Sequence, residues 1–280
     1  MSKLRVSVVQ YLNTAPLVWG FTMGPLRGKY ELSFTVPSLC AEALRSGTAD
    51  IAIIPAIEYQ RIPGLAILPD LSIASKRSVR SLLLIAKRPM AEVRSIALDC
   101  SSRTTQALTR ILCAQWWKIV PEFHEAAPNL PEMLEKADAA LLIGDPALRY
   151  AASVDAQNDR KRGWRVLDIV EEWRAMTGLA AVLAVWAARS EMATAELVED
   201  FQISRDLGVR HIGEICAEAE DELGLPAAEL EQYLRENIDF GLDAENLAGL
   251  RRYFAEAAKL GLIGENKALE IAGARLVAKG

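Results

Sequence analysis

The sequence predicts an α/β protein of two lobes, with a cleft between them and a helical C-terminal tract. Through the first two thirds of the chain, short apolar strands alternate with amphipathic helices, which is typical of sheets covered by helices on both faces. A proline-containing connection, KRPMAEVRS, divides this alternation into two units. From Thr194 onward the chain is rich in Ala, Glu and Leu at helical spacing, so this tract should pack on one of the units.

The first unit provides the elements of one predicted lobe. Pro16 suits the first turn of the helix that follows the first strand. Ser38 is the expected cap of the next helix, and Gly47 is its expected end. In chain order the predicted elements are the strand RVSVVQ, a helix from Ala15 to Phe21, the strand YELSFTV, the helix PSLCAEALRSG, the strand ADIAIIP and the strand RSVRSLLLIAK.

The second unit repeats this alternation and provides the other predicted lobe. Its predicted elements are the strand SIALDC, the helix SSRTTQALTRILCAQWW, the strand EFHEA, the helix NLPEMLEKA, the strand DAALLIG and the buried strand TGLAAVLAVWAAR. We expect the first lobe to comprise residues 1–91 and 189–280, and the second lobe to comprise residues 92–188.

Composition and charge argue against several classes of protein. The net charge is −5, whereas proteins that read duplex nucleic acid are usually basic, so no nucleic-acid partner is expected. No apolar run approaches the ~20 residues that span a bilayer, so no membrane partner is expected either. The N-terminus carries no secretory signal, and we therefore expect a cytoplasmic protein.

The cysteines and histidines do not form a metal-binding pattern. The four cysteines are scattered without a C-x-x-C pair, and there are two histidines. Reduced thiols and no metal site are therefore expected. The first strand is not followed by G-x-G-x-x-G, and the chain contains no P-loop motif, which disfavours dinucleotide and P-loop nucleotide binding.

Short polar residues recur where the predicted strands end. Ligands of open α/β sheets bind beyond the carboxyl ends of the strands, so these residues should line the cleft. The residues after the strands are Asn13, Thr14, Pro55, Ser101, Ser102, Arg103, Thr104, Gly144 and Asp145.

The segment LDCSSRTTQALTRIL has the features of an anion site. Ser101 or Ser102 can cap the helix, with Arg103 and Thr104 in its first turn. Free N–H groups, hydroxyls and a guanidinium together suit a carboxylate or phosphate. The alternative is an ordinary capped helix. Ser38 offers a second helix start with the same two interpretations.

Two acids lie near predicted strand ends. Glu58 and Asp145 could each act as a general base. Each could instead form a structural ion pair, for example with Arg61, and this interpretation is favoured. Neither His124 nor His211 has a nucleophile motif beside it, so a catalytic triad is not expected.

An ordered set of motifs resembles one enzyme family. The segments are VVQYLNTAPLVWG, VPSLCAEALRSGTADIAIIPAIEY, SVRSLLLIAK, LDCSSRTTQALTRILC, LLIGDPAL and EEWRAMTGLAAVLAVW. At these spacings they resemble the chorismate dehydratases of the futalosine route to menaquinone. The resemblance implies a two-lobed, periplasmic-binding-protein-like (type II) fold used by a cytoplasmic enzyme. It also implies that water is removed from chorismate to give the enolpyruvyl ether of 3-hydroxybenzoate, with no metal or cofactor.

The resemblance also implies roles for the strand-end residues. Asn13 would orient the substrate or assist the departing hydroxyl, and the helix starts at Ser38 and Ser101–Ser102 would bind the carboxylates. No protein base is evident, so the substrate's own enolpyruvyl carboxylate is the hypothesised proton acceptor. Gln10 and Ala180–Ala181 depart from the family pattern. The alternatives are the related 1,4-dihydroxy-6-naphthoate synthase and a non-catalytic binder of small anions.

Overall fold

The computed structural model describes residues 3–273 and contains two mixed sheets with helices around them. Within these residues the strands are β1 (Arg5–Val9), β2 (Glu31–Thr35), β3 (Ile51–Pro55), β4 (Leu65–Ser75), β5 (Leu82–Ala86), β6 (Ser95–Asp99), β7 (Glu122–Ala126), β8 (Ala139–Ile143), β9 (Arg165–Asp168) and β10 (Ala181–Arg189). The α-helices are α1 (Ala15–Thr22), α2 (Pro37–Ser46), α3 (Ala56–Arg61), α4 (Arg103–Gln115), α5 (Leu130–Lys136), α6 (Gly144–Ala152), α7 (Val154–Lys161), α8 (Ile169–Thr177), α9 (Ala195–Arg210), α10 (Ile212–Leu223), α11 (Ala227–Gln232) and α12 (Ala244–Lys259).

The two sheets share one pattern of strand pairing. In the first sheet, with order β2-β1-β3-β10-β4, β1 pairs parallel with both neighbours and β10 runs antiparallel to β3 and β4. In the second sheet, with order β7-β6-β8-β5-β9, β6 pairs parallel with both neighbours and β5 runs antiparallel to β8 and β9. Each sheet with its helices forms one lobe, so the predicted two-lobed α/β architecture is confirmed.

Two strands lie in a different lobe from the one that the predicted limits assign. Limits at residues 91 and 188 place β5 with the first lobe and β10 with the second, but the pairing reverses both. The chain crosses to the second sheet between β4 and β5, and it returns between α8 and β10. Burial shows that a segment is a core strand, but it does not show which sheet the strand joins.

The strands β4 and β9 were not predicted. β4 is interrupted by Pro69 and by Asp70, whose φ is +57°, and its pairing with β10 shifts register. A proline and a bulge weaken the alternating pattern that identifies a strand in a sequence. β9 is only 4 residues long, too short for a clear period.

The helix starts agree with the sequence at one position and differ at another. Ser102 caps α4, because its Oγ accepts a hydrogen bond from the Thr105 main-chain N–H at 3.5 Å. The prediction of Ser38 as a cap is wrong: α2 begins at Pro37 after Val36, and no side chain caps it. Proline at the first helical position leaves fewer N–H groups that need a cap.

The helical tract packs mainly on the first lobe and reaches the second. α9 lies so close to α1 that a Cβ at Gly208 would be 1.9 Å from the Pro16 carbonyl oxygen, so glycine is required there. α12 packs against β10, and its Tyr253 hydroxyl donates to the Thr104 carbonyl oxygen of the second lobe at 3.2 Å. Among residues 3–273, no helix has the length and apolar character needed to cross a bilayer.

Candidate active site

A small cavity lies where the strand ends of the two lobes meet. Its volume is about 40 Å³, and its lining comes from both lobes. The lining residues are Val9, Tyr11, Asn13, Pro37, Pro55, Ile73, Leu82, Ser102, Thr105, Ile143, Gly144, Leu183 and Ala184. Among the described residues, none of those on the lining carries a formal charge at neutral pH. A molecule bound in this cavity would therefore meet uncharged hydrogen-bonding groups and the N-terminus of α4.

Asn13 reaches this cavity from a tight turn. Leu12–Thr14 form one 3-10 turn between β1 and α1, so the end of the first strand delivers Asn13 directly to the lobe junction. The Thr14 hydroxyl donates to Asn13 Oδ1 at 3.4 Å, and Thr14 is fully buried. Thr14 therefore holds the Asn13 amide and does not line the cavity.

The end of β6 places Ser101 and Ser102 at the same junction. Ser101 Oγ donates to Asp99 Oδ1 at 2.5 Å, and it accepts a hydrogen bond from the Tyr11 hydroxyl at 3.3 Å. Asp99 also accepts from the Ile143 main-chain N–H at 3.3 Å, so one carboxylate joins the ends of β6 and β8. Burial raises the pKa of Asp99. Ser102 and Thr105 line the cavity, and their hydroxyls lie 3.0 Å apart.

Arg103 and Thr104 join the lobes and do not line the cavity. The Arg103 guanidinium donates to Glu58 at 3.2 Å and pairs with Glu42 at 2.7 Å. Thr104 is fully buried, and its Oγ1 accepts from the Ile57 main-chain N–H at 3.3 Å. Both contacts run from α4 in the second lobe to the first lobe.

Glu58 forms the structural ion pairs that were favoured for it. Its carboxylate is fully buried and is bonded to Arg45, Arg61 and Arg103. Its three guanidinium partners fix the position of this carboxylate in the lobe junction. It does not line the cavity and is not placed to remove a proton there.

Pro55 and Ser38 lie at the edge of the same junction. Pro55 ends β3 and lines the cavity, as does Pro37 at the start of α2. The Ser38 main-chain N–H donates to the Ser101 carbonyl oxygen at 3.0 Å. Ser38 thus joins the lobes through its backbone.

Gly144 and Asp145 begin α6 next to Tyr11. Gly144 has φ of +64°, and a Cβ there would lie 2.8 Å from the Tyr11 ring, so only glycine fits. Asp145 Oδ1 accepts from the Leu12 main-chain N–H at 3.2 Å. Burial is the main cause that raises the pKa of Asp145 to about 6. Its carboxylate lines a neighbouring cavity of about 320 Å³ together with Glu218 and Glu222.

Besides Thr105, three residues at the junction were not among the predicted site residues. Tyr11 lines the cavity, and burial raises the pKa of its hydroxyl to about 12. Ser81 lies just before β5, and the Tyr233 hydroxyl donates to its Oγ at 3.0 Å. Tyr11 stands inside the quoted first motif, so a strand-end argument could have included it. Tyr233 comes from the distant helical tract, and no local pattern marks it.

The described residues contain no group of three or more His, Cys, Asp or Glu side chains that could hold a metal ion. The cavity offers hydroxyls, one amide and main-chain groups instead. This arrangement can bind and orient an organic acid and can stabilise charge that develops on it.

Comparison with known proteins identifies relatives that cover most of the chain. Residues 4–259 match a family model described as menaquinone biosynthesis. The chorismate dehydratase of Thermus thermophilus is 30% identical over 261 residues, which cover 90% of this chain and 93% of that protein.

Solved structures with much lower identity share the fold. Protein AF1704 from Archaeoglobus fulgidus is 18% identical with a TM-score of 0.69, covering 93% of this chain and 98% of that chain. The periplasmic aliphatic sulphonate binding protein SsuA from Escherichia coli is 15% identical with a TM-score of 0.64, covering 95% and 90% respectively. The periplasmic-binding-protein-like fold is therefore confirmed.

Proposed function

Because the chain belongs to the menaquinone-biosynthesis family, we propose that it is a chorismate dehydratase, a hydro-lyase. It would eliminate water from chorismate to give 3-[(1-carboxyvinyl)oxy]benzoate. The observation that carries this proposal is the 30% identity to the Thermus thermophilus chorismate dehydratase over 90% of the chain. The cavity at the lobe junction is the proposed site.

The reaction requires groups that the cavity contains. The C3–H bond breaks, and its electron pair forms the new ring double bond as the C4–O bond breaks, so the ring becomes aromatic. The C3 proton is acidic because the resulting carbanion delocalises through a ring double bond into the ring carboxylate. Uncharged donors that face such a developing charge stabilise it strongly in a site closed to water.

Asn13 is the proposed catalytic residue. Its amide lies at the lobe junction, is mostly buried, and cannot ionise. It can therefore donate to the departing hydroxyl or to the substrate without taking the proton itself. Ser102, Thr105 and the N-terminus of α4 are the proposed carboxylate-binding groups, since hydroxyls and free N–H groups suit an anion.

The remaining predicted substrate-binding residues keep narrower proposed roles. Pro55 and Gly144 shape the cavity wall. Thr14, Ser38, Ser101, Arg103, Thr104 and Asp145 contact other protein groups, so their proposed roles are to hold that wall and the lobe junction in place.

The substrate's enolpyruvyl carboxylate remains the proposed proton acceptor. Tyr11 is the titratable side chain on the cavity, and a hydroxyl with a pKa of about 12 is a poor base near neutral pH. Asp145 lines the neighbouring cavity and is bonded to the Leu12 N–H. Chorismate carries its own carboxylate close to C3, so no protein carboxylate is required.

Substrate binding requires the lobes to separate. The cavity of about 40 Å³ is far smaller than the ~300 Å³ at which ligand pockets begin. The lobes are joined by the two crossings of the chain, which can act as a hinge. We propose that the enzyme opens to admit chorismate and closes to exclude water.

The predicted cytoplasmic location belongs to this proposal. Cys40, Cys100, Cys113 and Cys216 are free thiols, which suit a reducing compartment.

The test is incubation of the purified protein with chorismate, with no added metal or cofactor. The expected product is lighter than chorismate by one water and has a new aromatic absorbance. Unchanged chorismate from a folded sample would contradict the proposal. Binding of chorismate without turnover would point to a non-catalytic binder, and conversion of the cyclic naphthoate precursor instead would point to 1,4-dihydroxy-6-naphthoate synthase.

A further inference from the structure

Tyr233 brings the helical tract to the junction of the two lobes. It begins the π-helical turn Tyr233–Asn237, which directly follows α11. Its side chain is 1% exposed, and its hydroxyl donates to Ser81 Oγ at 3.0 Å. π-Helical turns are rare and are frequently found at functional sites. The π-helical turn therefore sets the position of the buried Tyr233 side chain at the junction.

Ser81 lies at the end of the crossing from the first sheet to the second. Its carbonyl oxygen accepts from the Gly144 main-chain N–H at 2.8 Å, at the start of α6. The Asp168 carboxylate accepts from the main-chain N–H groups of Val79 and Arg80 at 2.9 and 2.7 Å. These bonds tie the last residues of the crossing, 79–81, to the second lobe, so the Ser81 hydroxyl has a defined position within that lobe.

The Asn13 side chain is also close enough to the Tyr233 hydroxyl to affect its pKa. Burial raises the pKa of Tyr233, and this outweighs the lowering of the pKa by the Ser81 and Asn13 side chains. The hydroxyl thus keeps its proton at neutral pH. It can donate that proton to Ser81 and accept from the Asn13 amide at the same time.

These contacts fix the orientations of the Asn13, Tyr233 and Ser81 side chains relative to one another. Thr14 donates to Asn13 Oδ1, which turns the Asn13 NH₂ group away from Thr14. Tyr233 donates to Ser81 Oγ, which leaves the Ser81 hydroxyl hydrogen free for a second acceptor. One phenol oxygen can therefore set the orientation of a group at the end of β1 and of a group at the start of β5.

We propose that Tyr233 is a positioning residue for the dehydration, which orients Asn13 and Ser81 through its hydroxyl. This inference rests on the proposed function. Neither Tyr233 nor Ser81 lines the cavity, but Asn13 does, and the Ser81 carbonyl oxygen holds the N–H of Gly144 on the cavity wall. Tyr233 therefore acts on the site through these neighbours and does not touch the substrate. The helical tract then contributes to chemistry as well as to packing.

The test is Tyr233→Phe, which keeps the ring and removes the hydroxyl. A misplacement of about 1 Å in a catalytic group can cost ~100-fold in rate, so we expect kcat to fall by roughly 10- to 100-fold. KM should change by less than about 3-fold, because the carboxylate-binding groups are untouched.

Tyr150→Phe is the matched control. Tyr150 is also buried, and its hydroxyl also makes a bond of 3.0 Å, to Asp159 in the second lobe. The same atom is lost in both variants, so their unfolding midpoints should fall alike, while only Tyr233→Phe should lose kcat. Wild-type kcat in folded Tyr233→Phe, or an equal loss of kcat in both variants, overturns the inference.

A double-mutant cycle tests the coupling directly. If Tyr233 acts through Ser81, the loss of kcat in Ser81→Ala with Tyr233→Phe should be clearly smaller than the product of the two single losses. Independent losses would overturn the inference. If Tyr233→Phe does not fold, Ser81→Ala removes the same contact from its other end, and full kcat in that variant overturns it too. A wild-type protein that does not convert chorismate instead contradicts the proposed function.

Discussion

Arg103 in the second lobe donates a hydrogen bond of 3.2 Å to the fully buried carboxylate of Glu58 in the first lobe. Arg61 donates to the same carboxylate at 2.7 Å, but from the same helix as Glu58. One of these bonds therefore spans the lobe junction and the other does not. Variants of the two arginines can therefore distinguish the free energy of unfolding from the free energy of lobe closure.

Arg103→Ala should weaken lobe closure, and Arg61→Ala should not. Each variant removes one of the guanidinium partners of Glu58, so each should lower the free energy of unfolding by about 1–3 kcal/mol. We expect only Arg103→Ala to raise KM for chorismate by several-fold, because part of the binding energy must then restore the closed state. Steady-state kinetics and chemical denaturation check both effects. Equal KM values in the two variants would contradict this account of Arg103.

Asn13→Ala should lose catalysis while the fold is retained. The loss of one positioned hydrogen-bond donor from a catalytic site lowers kcat by ~100- to 1,000-fold. Asn13 is 8% exposed and accepts a hydrogen bond from the Thr14 hydroxyl, so its truncation should lower the free energy of unfolding by about 1–3 kcal/mol and leave the protein folded. The ratio of kcat values at saturating chorismate is the measurement. Full activity in Asn13→Ala would mean that Leu12–Thr14 is only a turn.

Gly144→Ala should damage the site through Tyr11. The new Cβ would lie 2.8 Å from the Tyr11 ring at a φ of +64°, so both the ring and the backbone must shift. We expect a loss of stability greater than the ~1–2 kcal/mol of left-handed strain alone, together with a fall in kcat. Thermal unfolding and turnover should be measured together.

Gly224→Ala provides the control for backbone strain. Gly224 has the same φ of +64°, but no atom lies within 4 Å of its added Cβ. This variant should show the strain alone and keep full turnover. If Gly144→Ala behaves like Gly224→Ala, then contact with Tyr11 does not shape the site.

Asp145 should make folding pH-dependent in a known direction. Its pKa is raised from 3.8 to about 6 in the folded protein, so the folded state binds this proton more tightly than the unfolded state does. The cost of the buried carboxylate is absent below pH ~4 and fully present above pH ~6. The free energy of unfolding should therefore fall as the pH rises from ~4 to ~6, because of the Asp145 carboxylate.

Asp145→Asn should remove this dependence. At pH 7 the variant should be more stable than the wild type by about 3 kcal/mol, and the difference should vanish near pH 4. Denaturation midpoints at several pH values measure it. Because the substrate is the proposed proton acceptor, Asp145→Asn should also keep turnover. Abolished turnover in the folded variant would make Asp145 the base.

Local sequence patterns were sufficient to predict the structural features that depend on residues close together in the chain. Asn13 follows the first strand as predicted, and α4 is capped by Ser102, one of the two serines predicted as its cap. Strand periodicity and capping involve residues a few positions apart, so they can be recognised in the sequence. The end of α2 at Gly47, whose φ is +74°, was also predicted from a local pattern, because glycine commonly ends a helix. Ordered motifs also predicted the family, since several short segments at set spacings are more specific than any one.

Tertiary structure alone decided which residues meet. The sheet membership of β5 and β10 depends on pairing between strands that are far apart in the chain. Arg103 was predicted to bind a ligand, but it pairs with Glu58, which lies 45 positions away in the chain. A buried carboxylate requires a charged partner. Tyr233 reached Ser81 across 152 positions. Contacts of this length arise when the lobes and the helical tract pack together, and no local pattern encodes them.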